Sequence, residues 1–212
     1  MIEYREYEHT YEKEVINIFT GAFRDYPLFY GAFENHFERK EDLDNCYEHV
    51  IKGIFKATIR QDECYVGLKG DKVVSVVITE SPGDKPVGFW DYALSGMPGI
   101  FLRLGLGDTL SYMKLSEETE YAVKKIKEPR WHLYFLVVDP EHHSEGIGSD
   151  AIQNFLIPLV KKNNGKIITV TTNAERNVNF YIKNGFSLIQ EETLVYDGKE
   201  IVNWTFRMDL LE

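Results

Sequence analysis

The chain has 212 residues, 43% hydrophobic and 14% aromatic, with 34 Asp and Glu against 24 Lys and Arg for a formal net charge of −10. That composition suits an ordinary globular core, and the acidic excess argues against a nucleic-acid partner, whose binding rests on clustered Lys and Arg. The charged N-terminal stretch MIEYREYEHTYEKE and the lack of any run near the ~18 apolar residues of a membrane span predict no membrane partner and a cytoplasmic protein.

Residues 2–7 can form a first strand. In 11–24, Val15, Ile16, Ile18, Phe19 and Phe23 fall at helical spacing, and Pro27 then breaks the helix inside the aromatic stretch DYPLFYGAF. A second helix is predicted over 41–60. A hairpin follows, in which ECYVGLK and KVVSVVITE flank the Gly70-Asp71 turn. Residues 81–128 carry Pro82, Pro86 and Pro98 and the helical run DTLSYMKLSEETEYAVKKIK, which reads as a helical insertion over one face of a sheet that contributes to a substrate site.

WHLYFLVV reads as a buried strand, and 149–163 as an amphipathic helix strained by Pro158. KIITVTT is the next strand, NVNFYIKNGF a short helix closed by Gly185, and two more strands flank Asp197-Gly198. The pattern predicts an α/β (α+β) fold, helices around a mostly antiparallel sheet with a crossover at the glycines. With no linker composition in sight, 1–212 reads as a single domain. Cys46 and Cys64 lack CxxC spacing and read as reduced thiols.

The stretch HHSEGIGSD, 142–150, lies between the buried strand and the amphipathic helix. Strand, glycines and helix in that order can present backbone N–H groups to a phosphate. A P-loop needs GxxxxGK[ST], and no lysine follows either glycine. The letters GxGxxA occur at 146–151, but only 61 residues follow Ala151, too few for a doubly wound domain. His142 and His143 are adjacent, with no HxxxH or HxH, so no metal is expected.

Val138-Asp139-Pro140 followed by His143-Ser144-Glu145-Gly146-Ile147-Gly148 resembles the V-x-P and [QR]-x-x-G-x-[GA] signature of the GCN5-related N-acetyltransferases (GNAT). Downstream, 177–186, NVNFYIKNGF, is similar to that superfamily's N-x-x-[FL]-Y-x-x-x-G-F element. The match covers about 131–190, with a weaker similarity to the puromycin and antibiotic N-acetyltransferase type. The resemblance implies a mixed sheet of about seven strands and acetyl-CoA as co-substrate. It implies a primary amine of a small cationic molecule or peptide as acceptor, attacked directly in a ternary complex, and it allows a homodimer. A non-catalytic acyl-CoA-binding module that keeps the fold is the alternative.

The resemblance also assigns residues. Leu136, Val137 and Val138 would pair with the pantetheine arm, and His143, Ser144, Glu145, Gly146, Ile147, Gly148, Ser149 and Asn177 would serve the rest of the cofactor. Tyr181 matches the tyrosine that protonates the leaving thiolate. Eleven residues before His143, in the position of a catalytic glutamate in some relatives, stands His132, the candidate base. By strand parity it should share one face with Tyr134, Leu136 and Val138. Asp25, Tyr26 and Tyr92 are candidate substrate contacts, with Glu34, His36 and Asp91 as further candidates for the base. His143 replaces the usual Gln or Arg, in a loop that holds Asp139, Glu141, Glu145 and Asp150 and no Lys or Arg.

Overall fold

A computed structural model describes residues 1–31, 33–59, 63–84, 91, 94–95 and 105–210. β1 (Glu3–Glu6) leads to α1 (Glu12–Ala22), which buries Val15, Ile18 and Phe19 on one side and carries Glu12 and Glu14 in its first turn, where the helix dipole favours acids. Past Pro27 the chain makes a π-helical turn, Pro27–Gly31. α2 (Lys40–Thr58) buries Leu43, Cys46, Tyr47, Val50, Ile51, Ile54 and Phe55, an apolar stripe at helical period. β2 (Glu63–Lys69) and β3 (Lys72–Glu80) form the expected hairpin, and every residue from Val73 to Thr79 is buried because β3 is covered on both faces.

From the insertion the described part contains α3 (Leu106–Thr119) and α4 (Tyr121–Lys124), joined at Glu120. β4 (Trp131–Val138) is followed by a 3-10 turn, Pro140–His142. The next helix, α5, begins at Ile147–Asp150, widens to a π-helix over Ala151–Leu156 and ends as α-helix over Ile157–Lys162. Pro158 has no N–H to offer the carbonyl of Asn154, and the wider turn just before it accommodates the missing bond. β5 (Ile167–Thr172), α6 (Arg176–Lys183), β6 (Ser187–Tyr196) and β7 (Lys199–Asp209) complete the chain. No helix among the described residues is long and apolar enough to cross a membrane.

The seven strands form one sheet in the order β1-β2-β3-β4-β5-β7-β6. All neighbours are antiparallel except β4 and β5. One hydrophobic cluster gathers α1 and α2 on one face, around Val15, Phe19, Phe55 and Val76. A second gathers α5 and the C-terminal strands, around Ile152, Leu156, Ile168 and Phe206.

Two features of β4 set up the site. Its parallel pairing with β5 is confined to Trp131 with Ile168 and His132 with Thr169, after which the strands part. Its register with β3 skips Tyr134, since Ile78 faces Phe135 while Thr79 faces Leu133. This bulge corrects the parity expectation. Trp131 and Leu133 pack in the α5 cluster, yet beyond the extra residue it is Leu136 that joins them while Val137 turns to the α1–α2 cluster. His132 and Leu136 therefore do not share a face, because one inserted residue inverts the alternation.

Candidate active site

A cavity of about 930 Å³ lies where β4 and β5 part, bounded by Tyr134, Phe135 and Leu136 on one strand and Val170, Thr171 and Thr172 on the other. This is the size of a small-molecule site. Aromatic residues from the α1–α2 side, Phe23, Tyr26 and Phe29, form one wall. Side chains of α3, α4 and their junction, including Tyr112, Glu120 and Val123, close another.

At the start of β4 the cavity is polar. His132 is 2% exposed. Its Nδ1 lies 2.9 Å from Thr169 Oγ1 and its Nε2 3.3 Å from Glu120 Oε2. The other carboxylate oxygen of Glu120 accepts the Thr171 hydroxyl at 3.0 Å. Burial by itself would push the imidazole pKa down, but the charge and hydrogen bond of Glu120 outweigh it and the pKa of His132 is raised. Burial would likewise raise Glu120, and the charge and bond of His132, with Thr171 and Lys124, hold it lowered instead. The two form an ion pair in which the imidazole is buried and the carboxylate is part-exposed.

Tyr181, on α6, also lines the cavity. It is 6% exposed and its ring packs on Phe186 and Phe206. Burial, and then the neighbouring Tyr26, raise its pKa, so the phenol keeps its proton throughout the neutral range. Tyr26 is tied to the end of β5: its hydroxyl shares a 3.0 Å hydrogen bond with Thr172 Oγ1 and accepts the Asn173 N–H at 2.8 Å. Asn177 Nδ2 donates to the same Thr172 oxygen at 3.0 Å.

At the far end of β4 the chain turns into α5. Gly146 has φ +81°, a left-handed conformation that an L side chain rarely takes, and a Cβ there would meet nothing within 4 Å. The Asp150 N–H closes the first helical turn on the Gly146 carbonyl at 2.9 Å, and the amides ahead of it point out of the helix start. Gly148 serves a different purpose: a Cβ there would stand 3.1 Å from the Phe180 ring, so its absence lets α6 approach.

The acids of this loop are neutralised from the β2–β3 hairpin. Lys69 Nζ reaches Glu145 at 2.8 Å, and Lys72 Nζ lies 3.0 Å from Glu141 and 3.2 Å from Asp139. Tyr4 donates to Asp150 at 2.9 Å. His142 Nδ1 sits 3.1 Å from Glu145, and His143 is exposed with Nε2 donating to the Val138 carbonyl at 3.2 Å. Among the described residues no group of His, Cys, Asp or Glu could hold a metal ion.

Comparison with known proteins matches residues 107–188 to the acetyltransferase (GNAT) domain family. No curated protein matches. Solved structures share the fold at low identity. A histone acetyltransferase and related acetyltransferase from Corynebacterium glutamicum has a TM-score of 0.65 at 15% identity, over 100% of this chain and 98% of that one. A polyamine N-acetyltransferase from Drosophila melanogaster that forms N-acetylagmatine has 0.60 at 13%, over 99% and 100%. An acetyltransferase from Bacillus subtilis in complex with CoA has 0.52 at 12%, over 100% of each. Residues 107–188 thus match the GNAT acetyltransferase domain, and the whole chain shares the fold of these solved structures.

Within this GNAT fold the structure brings Tyr181, His132, Tyr26, Leu136 and Asn177 to one cavity. Asp25 is exposed and is not among its lining residues, and Tyr92 lies outside the described residues. Glu34 pairs with Lys199 and His36 with Asp108, and none of the four is among the lining residues. Of 143–149 in the GNAT loop, Ile147 is buried as a core side chain and Ser149 accepts Asn184 Nδ2 at 3.1 Å. Sequence reading missed Glu120, one acid in the run SEETE with nothing to single it out, and Lys69 and Lys72. The lysines do carry a signal, since they flank the hairpin turn.

Proposed function

We propose that this protein is an acetyl-CoA-dependent N-acetyltransferase that moves the acetyl group to a primary amine of a small cationic molecule or peptide, by direct attack in a ternary complex. One observation carries the reading: a single cavity at the parting of β4 and β5 is lined at once by Leu136, Tyr181 and the Glu120–His132 pair. The polyamine substrate of the Drosophila enzyme with the same fold supports a cationic acceptor.

The residues present fit coenzyme A. The Gly146 turn leaves open space beside the first amides of α5, and Lys69 and Lys72 offset the loop's carboxylates. The amides of 144–149 would hold the pyrophosphate and the parted stretch of β4, 136–138, the pantetheine arm, while Asn177 stands at the cavity wall. When bound, the thioester supplies the acetyl group. The C–N bond forms as the C–S bond breaks, so the amine must shed a proton and the sulfur must gain one. Tyr181 Oη holds the proton for the sulfur. Because both nitrogens of His132 are engaged, the amine's proton passes to the Glu120–His132 pair acting as a unit, directly or through water.

The test is release of free thiol from acetyl-CoA across a panel of polyamines, aminoglycosides, puromycin-like nucleosides and peptide N-termini. Turnover with at least one amine is expected. Tight coenzyme A binding with no thiol released from any amine would instead identify a non-catalytic acyl-CoA-binding module.

A further inference from the structure

The polar end of the cavity contains a charge that acetyl transfer does not use. Arg130, just ahead of β4, lines the cavity, and its Nε is buried with no hydrogen-bond partner among the described residues. Of the carboxylates that line the cavity, Glu120 is matched with His132 and Thr171 and Glu117 with Lys124 at 3.5 Å, while Glu80 makes no hydrogen bond to this Nε. A guanidinium N–H shut away from water without an acceptor is unfavourable. A ligand that supplies the acceptor removes that cost.

The planar fork of a guanidinium fits a carboxylate or a phosphate. The cofactor's own phosphates are out of reach, since the glycine loop lies beyond the opposite end of β4, and eight residues of strand span roughly 26 Å at ~3.3 Å each. A phosphate on the acceptor is disfavoured by the company Arg130 keeps. Glu80, Glu117 and Glu120 line the same cavity, with Glu80 in register with His132 across β3 and β4, and a dianion would be repelled about twice as strongly by each as a monoanion.

We infer that the acceptor amine carries a carboxylate, held by Arg130, so that the substrate is a basic amino acid or a short peptide rather than a plain polyamine. This rests on the acetyl-transfer reading and narrows it. Such an acceptor still bears net positive charge, and it places its anion at the start of β4 while an amine faces Tyr181.

The experiment compares amines that differ only in the carboxylate, lysine against cadaverine and ornithine against putrescine, by kcat/KM of thiol release. In the wild type the carboxylated member of each pair should be preferred by roughly 10- to 100-fold, the range of a charged hydrogen bond. In Arg130→Gln the ratio of kcat/KM within each pair should fall to about one, and Arg130→Lys should retain part of the preference. Equal or better use of the diamines by wild type, or a preference that survives Arg130→Gln in a variant with wild-type thermal stability, overturns the inference. Turnover only of amines that bear no carboxylate also overturns it and leaves the acetyl-transfer reading standing; turnover of peptides in place of the pairs moves the same comparison to a peptide acid against its C-terminal amide. If no amine is turned over, that reading falls, and calorimetry of lysine against cadaverine decides the carboxylate site alone, with equal affinity or no binding counting against it.

Discussion

The two ends of β4 are built by different means. Past Val138 the site consists of backbone: a left-handed glycine, a helix start and amides directed outward, with side chains engaged elsewhere. At His132 it consists of side chains drawn from separate parts of the chain, the α3–α4 junction and β5 among them. The first end tolerates changes in side-chain chemistry as long as its dihedral angles survive. The second tolerates a change at Glu120 or His132 only if the partner is satisfied in another way.

Substitutions can break or sharpen that contrast. The largest effect is expected between the ends: Tyr181→Phe should lower kcat by roughly 10²- to 10⁴-fold, the usual contribution of a placed proton donor, with the coenzyme A dissociation constant unchanged by calorimetry. A matching loss of cofactor binding would put Tyr181 with the backbone end.

Glu120→Gln leaves a buried histidine without its counter-charge and should cost about 3 kcal/mol of stability, read from urea unfolding. His132 is raised, so its contribution is present below the unfolded value of 6.5 and lost as pH rises through its folded pKa. Glu120 is lowered, so its contribution is present above 4.5 and lost as pH falls through its folded pKa. The gap between wild type and variant should therefore be widest between pH 4.5 and 6.5. Activity should behave oppositely on the alkaline side, with kcat/KM rising to a midpoint above 6.5 as the imidazolium gives up its proton. A midpoint below 6.5 would remove the pair from proton transfer.

At the backbone end, Gly146→Ala forces a Cβ into the left-handed region at about 1–2 kcal/mol and should weaken coenzyme A binding. Gly148→Ala should act through Phe180 and lower stability more than affinity. If the two alanines reverse these signatures in paired binding and unfolding measurements, the division of labour between the glycines is wrong. The smallest effect is reserved for Lys69→Gln with Lys72→Gln, where pairs made by half-exposed lysines contribute little: a few-fold weaker coenzyme A binding, disappearing in ~1 M salt.

The contrast also explains what could be read beforehand. A backbone-built turn needs glycines at fixed spacing after a strand, and so 138–148 and 177–186 were legible as letters, as was the alternation of strands and helices. The His132 end was only half legible. The histidine was found by counting, but its partner Glu120 is 12 residues away behind a helix break and looks like any solvated acid. The bulge at Tyr134 was invisible because WHLYFLVV is apolar throughout, and an unbroken apolar run carries no phase from which an inserted residue could be detected.

Pairing of β4 with β5 stops after two residues in the middle of the sheet, and this has a bearing on handling the protein. Beyond that point two interior strands present hydrogen-bonding groups with no strand opposite, much as the rim of an open sheet does, and such groups can template addition of another chain. A coenzyme with an amide-bearing arm laid between them would then act as a missing strand. Its presence during refolding should favour monodisperse protein over self-association.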